Sequence, residues 1–165
     1  MKDGNVGVCR KCGFRFYESY GMQYMMSIVY EETVNKAKAG KLGEVIQRFL
    51  RENRDGAIDV EDVTLCCMEC GSLENGYDLS MWIPSNETND SSVDYEYKSA
   101  EESSDNIGFV TPSDLLERYR KVMDYPHICK KCSGKMRIIR AEDQETLNCP
   151  ICRKPLESEG RILWD

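Results

Sequence analysis

One segment of the chain carries apolar residues with the period of an amphipathic helix. They recur at i, i+3, i+4, i+7 and i+8, and they are Leu42, Val45, Ile46, Phe49 and Leu50. The sequence RENRDG at 51–56 supplies a turn that ends this helix. A shorter helix is predicted over 31–39, because Gly40 follows it as a helix stop. The Met- and Tyr-rich segment 21–30 is predicted to pack against both helices.

A third helix is predicted to begin near residue 111. Thr111 is a suitable N-cap, Pro112 suits the first turn, and Asp114 stands three residues on as the capping partner. Its apolar face consists of Leu115, Tyr119, Val122 and Met123. The proline of the dipeptide 125–126 ends the run.

Shorter alternating patterns predict strands. Residues 57–65 lead as a strand into a cysteine-rich segment, and residues 79–83 place alternate apolar side chains on one side of a second strand. The C-terminal part of the chain has two more candidates, at 136–140 and 161–164. Helices and strands together predict a small α+β protein.

Segment 84–106 interrupts these patterns with seven acidic residues and one lysine. It has little to bury, which predicts a solvated acidic linker or loop. A surface that docks on a basic partner is the alternative interpretation. The break divides the chain into residues 1–83, with a helical insertion at 21–56, and residues 107–165.

Nine cysteines among 165 residues change this picture. No apolar run is long enough to cross a membrane, and the N-terminus lacks the apolar core of a secretory signal. We therefore expect a cytoplasmic protein whose cysteines bind metal and do not form a disulfide framework.

Two C-x2-C units separated by 16 residues lie near the C-terminus: Cys129, Cys132, Cys149 and Cys152. This spacing is typical of a four-cysteine zinc site, in which each turn supplies two sulfurs and a β-hairpin brings the pairs together. Gly134 is expected to ease the first turn, and strand 136–140 is expected to return through Leu147 as the hairpin. Iron is the rival metal, because it also takes four thiolates.

Two further C-x2-C units, each followed by glycine, lie 54 residues apart: Cys9, Cys12, Cys67 and Cys70. They are predicted to form a second site, whose long connection is the helical insertion. Cys66 is the ninth cysteine. Alternation along the incoming strand points it away from Cys67 and into the core.

The sequence does not predict an enzyme or a small-molecule substrate. His127 is the single histidine, and no Gly-rich phosphate loop or H-E-x-x-H segment occurs. A catalytic zinc site usually has His or carboxylate ligands and an open coordination position. All four C-x2-C units pair off, so none is left over as a dithiol redox centre.

The C-x2-C-G units and the tail YPHICKKCSGKMRII…LNCPICRKPL resemble zinc-ribbon proteins. The layout is similar to uncharacterised bacterial proteins of the Firmicutes type with paired ribbons. The resemblance implies two rubredoxin-like β units, the first with a helical insertion and the second preceded by a helix. It implies two zinc ions bound by the eight C-x2-C cysteines, and no catalytic residue. Family members often carry glycine after the last cysteine, where this chain has Arg153.

The formal charge of −7 falls to about −11 with eight thiolates and two zinc ions, which argues against a general electrostatic grip on nucleic acid. We predict a non-enzymatic zinc-binding protein with two structural sites that mediates protein or nucleic-acid interaction. One alternative is a nucleic-acid-binding regulator that uses the basic segment 126–165. Its candidate contacts are Lys130, Lys131, Lys135, Arg137, Arg140, Arg153 and Lys154. The other is an iron rubredoxin-type electron carrier or a redox-regulated thiol switch.

Overall fold

A computed structural model describes residues 2–21, 26–85, 108–143 and 146–164. The strands in these ranges are β1 (Lys2–Val8), β2 (Arg15–Gly21), β3 (Ala57–Ile58), β4 (Asp62–Cys67), β5 (Leu73–Tyr77), β6 (Met81–Pro84), β7 (Tyr119–Met123), β8 (Met136–Ile139) and β9 (Glu157–Trp164). The helices are α1 (Met26–Lys38), α2 (Glu44–Glu52), α3 (Pro112–Arg118) and a short 3-10 helix (Ala141–Asp143). The small α+β class predicted from the sequence is confirmed.

The larger sheet is antiparallel and has the order β5-β4-β2-β1-β9, with β8 paired to β4. β1 pairs with β2 from Lys2↔Gly21 to Val8↔Arg15, and β9 pairs with the other edge of β1. β4 pairs with both β5 and β8, and it meets β2 at Gly21↔Asp62. The sheet therefore consists of two three-stranded parts that meet at one residue pair.

We call these parts the outer unit, residues 2–21 and 147–164, and the inner unit, residues 62–77 and 128–139. The names follow the chain, since the inner unit is formed by segments that lie between the two segments of the outer unit. Each half of the chain contributes strands to both units, so the units do not follow the predicted division at 84–106. Of that acidic segment, residues 86–106 lie outside the described residues.

The predicted helical stripe is confirmed in α2, whose Ile46, Phe49 and Leu50 are buried. α1 begins at Met26, earlier than predicted, and buries Tyr30 and Val34 in the same cluster. A smaller sheet of order β3-β6-β7 covers this cluster with the side chains of Ile58 and Met81. The helices thus form a compact core with the small sheet, beside the larger sheet.

The third predicted helix begins as expected and ends early. The Thr111 side chain accepts a hydrogen bond from the Asp114 N–H, and the Asp114 carboxylate accepts one from the Thr111 N–H, which completes a capping box. The helix ends at Arg118, and the expected continuation to Met123 is wrong because Tyr119–Met123 pairs with β6 as β7. Pairing across strands overrides the local helical period there.

Candidate metal centres

All four C-x2-C segments fold into the same turn, which we call a knuckle. Knuckles 1 to 4 span residues 9–14, 67–72, 129–134 and 149–154. In each knuckle the first cysteine N–H donates to the carbonyl five residues on, and the N–H four residues on donates back to the first cysteine carbonyl. These bonds measure 2.8 to 3.0 Å throughout. The shared geometry sets two sulfurs side by side in every knuckle.

The residue after the second cysteine has a left-handed backbone in every knuckle. Gly13 and Gly71 occupy this position at φ 74° and 68°, as glycine readily does. Ser133 and Arg153 occupy it at φ 61° and 63°, against the preference of residues with a Cβ. The glycine that zinc-ribbon proteins often carry is therefore not required for the turn at Arg153.

Gly134 has a different function from the one expected. The left-handed residue of knuckle 3 is Ser133, one position earlier. A Cβ at Gly134 would lie 2.6 Å from the Glu69 Cγ and 3.1 Å from the Cys132 Sγ. Glycine is needed there because knuckle 2 packs closely against knuckle 3.

The outer unit brings knuckles 1 and 4 together. Its four sulfurs belong to Cys9, Cys12, Cys149 and Cys152. The Cys9 and Cys152 Sγ atoms lie 3.3 Å apart, and the Cys12 Sγ lies 3.5 Å from the Cys149 Sγ and 3.8 Å from the Cys152 Sγ. Strand β9 runs beside β1 and carries knuckle 4 to knuckle 1.

The inner unit brings knuckles 2 and 3 together. Its four sulfurs belong to Cys67, Cys70, Cys129 and Cys132. The Cys67 and Cys132 Sγ atoms are 3.4 Å apart, and the Cys70 and Cys129 Sγ atoms are 3.7 Å apart. Here β4 and β8 are the strands that align the two knuckles.

All eight predicted ligands thus fall into four-sulfur groups, but the predicted pairing of knuckles is wrong. Knuckle 1 was expected to join knuckle 2, and knuckle 3 to join knuckle 4. The expected hairpin from 136–140 through Leu147 does not form, since β8 pairs with β4 and Asn148 forms a bridge with Pro155. The four knuckles have equal cysteine spacing, so spacing alone carried no signal for their pairing.

Both groups fit a tetrahedral metal ion. A Zn–S bond of about 2.3 Å gives sulfur–sulfur separations of about 3.8 Å, and in each group all sulfurs lie within 4.8 Å of one another. These separations exceed a disulfide bond of about 2.05 Å by far, and all nine cysteines are free. Four protein sulfurs fill the coordination shell, as in structural sites.

The first cysteine of each knuckle is buried and the second is more open. Exposed fractions are 0% for Cys9, 2% for Cys67, 1% for Cys129 and 0% for Cys149. The second cysteines are exposed or half-buried. A bound ion would therefore connect the hydrophobic core to the surface turns.

Hydrogen bonds lower the pKa of some of the cysteine thiols. The backbone N–H of Cys12 lowers the pKa of Cys9 to about 6, and the hydroxyl of Ser72 lowers the pKa of Cys70 to about 6. At Cys12 the Phe14 N–H lowers the pKa, but burial and the neighbouring sulfurs outweigh it and raise the pKa to about 12. Four neighbouring thiols cannot all be ionised in the absence of a cation, because their negative charges repel one another. Binding of a divalent cation would therefore release protons.

Ser72 is a residue that the sequence did not single out. Its hydroxyl oxygen lies 3.1 Å from the Cys70 Sγ. Hydrogen bonds to ligand sulfurs hold them in place and tune the metal. Its position two residues after the last cysteine of knuckle 2 was the only available signal.

Cys66 belongs to neither four-sulfur group. It is half-buried and packs against the cluster that contains Cys9 and Cys149, whereas Cys67 packs in a different cluster with Cys129. The predicted alternation of Cys66 and Cys67 is therefore seen in the structure.

Two of the candidate nucleic-acid contacts, Arg140 and Lys130, are paired with carboxylates. Arg140 binds Glu61, with Nη1–Oε2 at 3.3 Å, and also binds the carboxylate of the buried Asp78. The Lys130 Nζ lies 3.2 Å from the Glu74 Oε2. The remaining residues of this set have separate places in the fold: Lys131 and Lys135 are in or beside knuckle 3, Arg137 is on β8, and Arg153 and Lys154 are in knuckle 4.

His127 is a structural residue in this arrangement. It is 8% exposed, and its Nε2 lies 2.8 Å from the Asp78 carbonyl oxygen. Its ring also meets the Tyr125 ring edge to face at 4.8 Å. His127 is not part of either four-sulfur group.

The chain matches no family model, no curated protein and no solved structure. Among the described residues, no helix has the length and apolar character needed to cross a membrane. What defines the class of this protein is its pair of four-cysteine groups, which are suited to structural metal binding.

Proposed function

We propose that this protein is a non-enzymatic zinc-binding protein with two structural Zn(Cys)4 sites, and that it mediates interactions with another macromolecule. The observation that carries the proposal is the completeness of both sulfur groups, each supplied by two knuckles from distant parts of the chain. A site with four protein sulfurs has no open position for substrate or water.

The outer and inner units support the zinc-ribbon interpretation. Each consists of three antiparallel strands with knuckles at the ends of paired strands. In this interpretation, zinc would fix the turns that connect strands too short to form a stable sheet alone. The same proposal includes a cytoplasmic location, where thiols stay reduced.

A protein partner is favoured over nucleic acid. Arg140 and Lys130 already bind carboxylates of the inner-unit region, and Arg10 of knuckle 1 binds Glu157 and Glu159. Exposed apolar side chains also occupy two knuckle tips, with Met68 63% and Ile151 69% exposed. Apolar tips together with these three ion-paired cations suit a protein surface better than a phosphate backbone.

Metal content tests the core of the proposal. The purified full-length chain should contain two zinc ions, released by a thiol reagent and counted with a chromogenic chelator. Cys66→Ala should keep both, which makes it the matched control for any ligand substitution. A stoichiometry of one or none in freshly reduced, zinc-supplemented protein would contradict the two-site proposal.

Three measurements address the alternatives. A nucleic-acid-binding regulator requires salt-dependent binding of DNA or RNA by the full chain, whereas we expect none at physiological salt. To test for an iron centre, the protein is purified from iron-supplemented and from zinc-supplemented cultures. An iron protein would be red and absorb visible light, whereas we expect a colourless zinc form. A redox-regulated switch requires peroxide-dependent metal release coupled to a gain of activity.

A further inference from the structure

A cavity beside the helical cluster lies apart from both metal centres. It opens between α1, the start of α3 and the segment that leads into β4, and its open space, counted out into the solvent at the mouth, is about 360 Å³. The centre of a water-sized group can move within about 20 Å³ of this space. Such a space admits the tip of a slender ligand and excludes a bulky one.

The walls carry aromatic and acidic side chains among aliphatic ones. Three aromatic rings and three carboxylates line it: Tyr30, Tyr77, Phe109, Asp59, Glu61 and Asp62. No lysine or arginine is among the described residues that line it. The rings of Tyr30 and Phe109 meet edge to face, with centroids 5.7 Å apart and an interplanar angle of 83°. Aromatic faces together with carboxylates attract cations.

Asp59 is a buried carboxylate of the cavity wall, and only 6% of the residue is exposed. Its Oδ1 accepts a hydrogen bond from the Glu61 N–H at 2.9 Å. No hydrogen bond to its Oδ2 is present among the described residues. Burial, and then the charge of Asp78, raise the pKa of Asp59 to about 6, so the carboxylate is ionised at neutral pH at a cost in solvation.

A metal ion is a poor occupant of this cavity. Within the described ranges, the groups of three or more side chains able to hold a metal are the two cysteine groups alone. A guanidinium has three nitrogens in one plane and is a larger group than an ammonium. An ammonium group has about the size of a water molecule and donates up to three hydrogen bonds.

We propose that this cavity binds the protonated amino group of a slender primary amine, with Asp59 as the counter-ion and the Tyr30 and Phe109 rings around the stem. Two sources share this chemistry, a lysine side chain presented by a partner and a free small alkylamine. The site is separate from the metal centres, and so its occupation goes beyond the structural function proposed above.

The test uses the full-length zinc-loaded protein, labelled with nitrogen-15 and titrated with n-butylammonium chloride. We expect saturable shifts of amide signals around residues 59–62, with a dissociation constant on the order of millimolar for so small a probe. n-Butanol has the same shape without the charge and should give at least tenfold weaker binding. Equal shifts with n-butanol, or none that saturate, would overturn the proposal.

Variants assign the effect to the cavity. Asp59→Asn should weaken n-butylammonium binding at least tenfold, and Phe109→Leu should weaken it with the carboxylate intact. Asp55→Asn, an exposed acid in the preceding turn, is the matched control and should bind as the parent does. A dispersed amide spectrum verifies folding of each variant. Undiminished binding by both folded cavity variants contradicts the assignment.

The two sources are distinguished with Nα-acetyl-lysine methylamide. Binding at least as tight as that of n-butylammonium supports a lysine side chain, because the backbone groups then fit at the mouth. Binding at least tenfold weaker supports a free amine. Both results retain the ammonium site, which depends on the comparison with n-butanol.

Discussion

At the scale of single residues, some positions stabilise the fold, and others destabilise it by their own conformation or burial. Ser133 and Arg153 hold a left-handed backbone without being glycine, and Asp59 holds a carboxylate in a buried place. Each arrangement costs stability, and such costs persist where the surrounding structure or a function requires them. The sequence identified the cysteines individually because C-x2-C is a local signal, and it marked Arg153 only as a residue that stands where glycine is often found. It did not reveal Ser133 or Asp59, because their conformation and burial depend on tertiary surroundings.

Asp59→Asn should stabilise the protein in a pH-dependent way. The folded pKa of Asp59 is raised to about 6 from an unfolded value of 3.8, so the wild type loses stability as pH rises through this window. Glu61 and Asp78 face Asp59 as further carboxylates, and Arg140 compensates them in part. The shift corresponds to about 3 kcal/mol at neutral pH.

Urea unfolding of the zinc-loaded proteins measures this difference. The advantage of Asp59→Asn over the wild type should grow by about 1 kcal/mol between roughly pH 5 and pH 7. Comparison at each pH cancels the pH dependence of metal binding, which both proteins share. Asp55→Asn should show a constant difference, and a constant difference in Asp59→Asn as well would show that the carboxylate is not desolvated.

Substitutions at the neighbouring positions 133 and 134 should have opposite effects. Ser133→Gly removes a left-handed residue with a Cβ and should be neutral or stabilise by up to about 1 kcal/mol. Gly134→Ala introduces a Cβ against Glu69 and the Cys132 sulfur and should cost about 1–3 kcal/mol. Competition for zinc against a chelator should show weaker inner-site binding for Gly134→Ala alone. Equal effects of the two substitutions would mean that the space beside Gly134 does not limit the side chain at this position.

At the scale of helices and strands, most local signals were reliable, although strand pairing overrode the helical period of residues 119–123. The pairing of distant segments was not predicted. The stripe of α2 and the capping box of α3 were predictable, because both depend on residues within one or two turns. β1 and β2 carry glycine and charged residues and gave no strand signal. The pairing of β1 with β2 and β9, and of β4 with β8, decides which knuckles meet. These pairings are contacts between distant segments, which local sequence patterns do not encode.

The cap of α3 provides a prediction at this scale. Thr111→Ala should cost about 1 kcal/mol, because the Asp114 N–H loses its partner at the start of a seven-residue helix. Ser113→Ala, at an exposed position of the first turn, should cost less than half of that. Chemical denaturation of the two zinc-loaded variants gives the comparison. A larger loss for Ser113→Ala would refute the importance of the capping box.

At the scale of the whole molecule, the inner unit is self-contained and the outer unit is not. The cluster around Cys67 and Cys129 is formed by inner-unit residues alone, including Val63 and Leu65. The cluster around Cys9 and Cys149 is completed by three side chains of the inner unit, Cys66, Leu73 and Ile139. The outer site therefore needs the folded inner unit as part of its core, whereas the inner cluster is complete without the outer unit.

This dependence predicts unequal losses of metal. Cys67→Ser should remove the inner zinc and also weaken the outer site, because unfolding of the inner unit takes away Leu73 and Ile139 from the outer core. Cys149→Ser should remove the outer zinc and leave the inner site able to bind. Native mass spectrometry with two equivalents of zinc per chain should thus find fewer ions on Cys67→Ser than on Cys149→Ser, which should hold one, with the wild type at two.

The comparison needs a control that separates the effect of losing a metal ligand from the effect of losing core packing. Leu73→Ala keeps all eight ligands and removes a side chain that the inner unit contributes to the outer core. It should weaken zinc binding by the outer site, whose ligands are untouched, more than binding by the inner site. If Cys67→Ser and Cys149→Ser each lose one ion and bind the other with wild-type affinity, the two sites are independent. In that case the shared cluster packs the units together without coupling their metals.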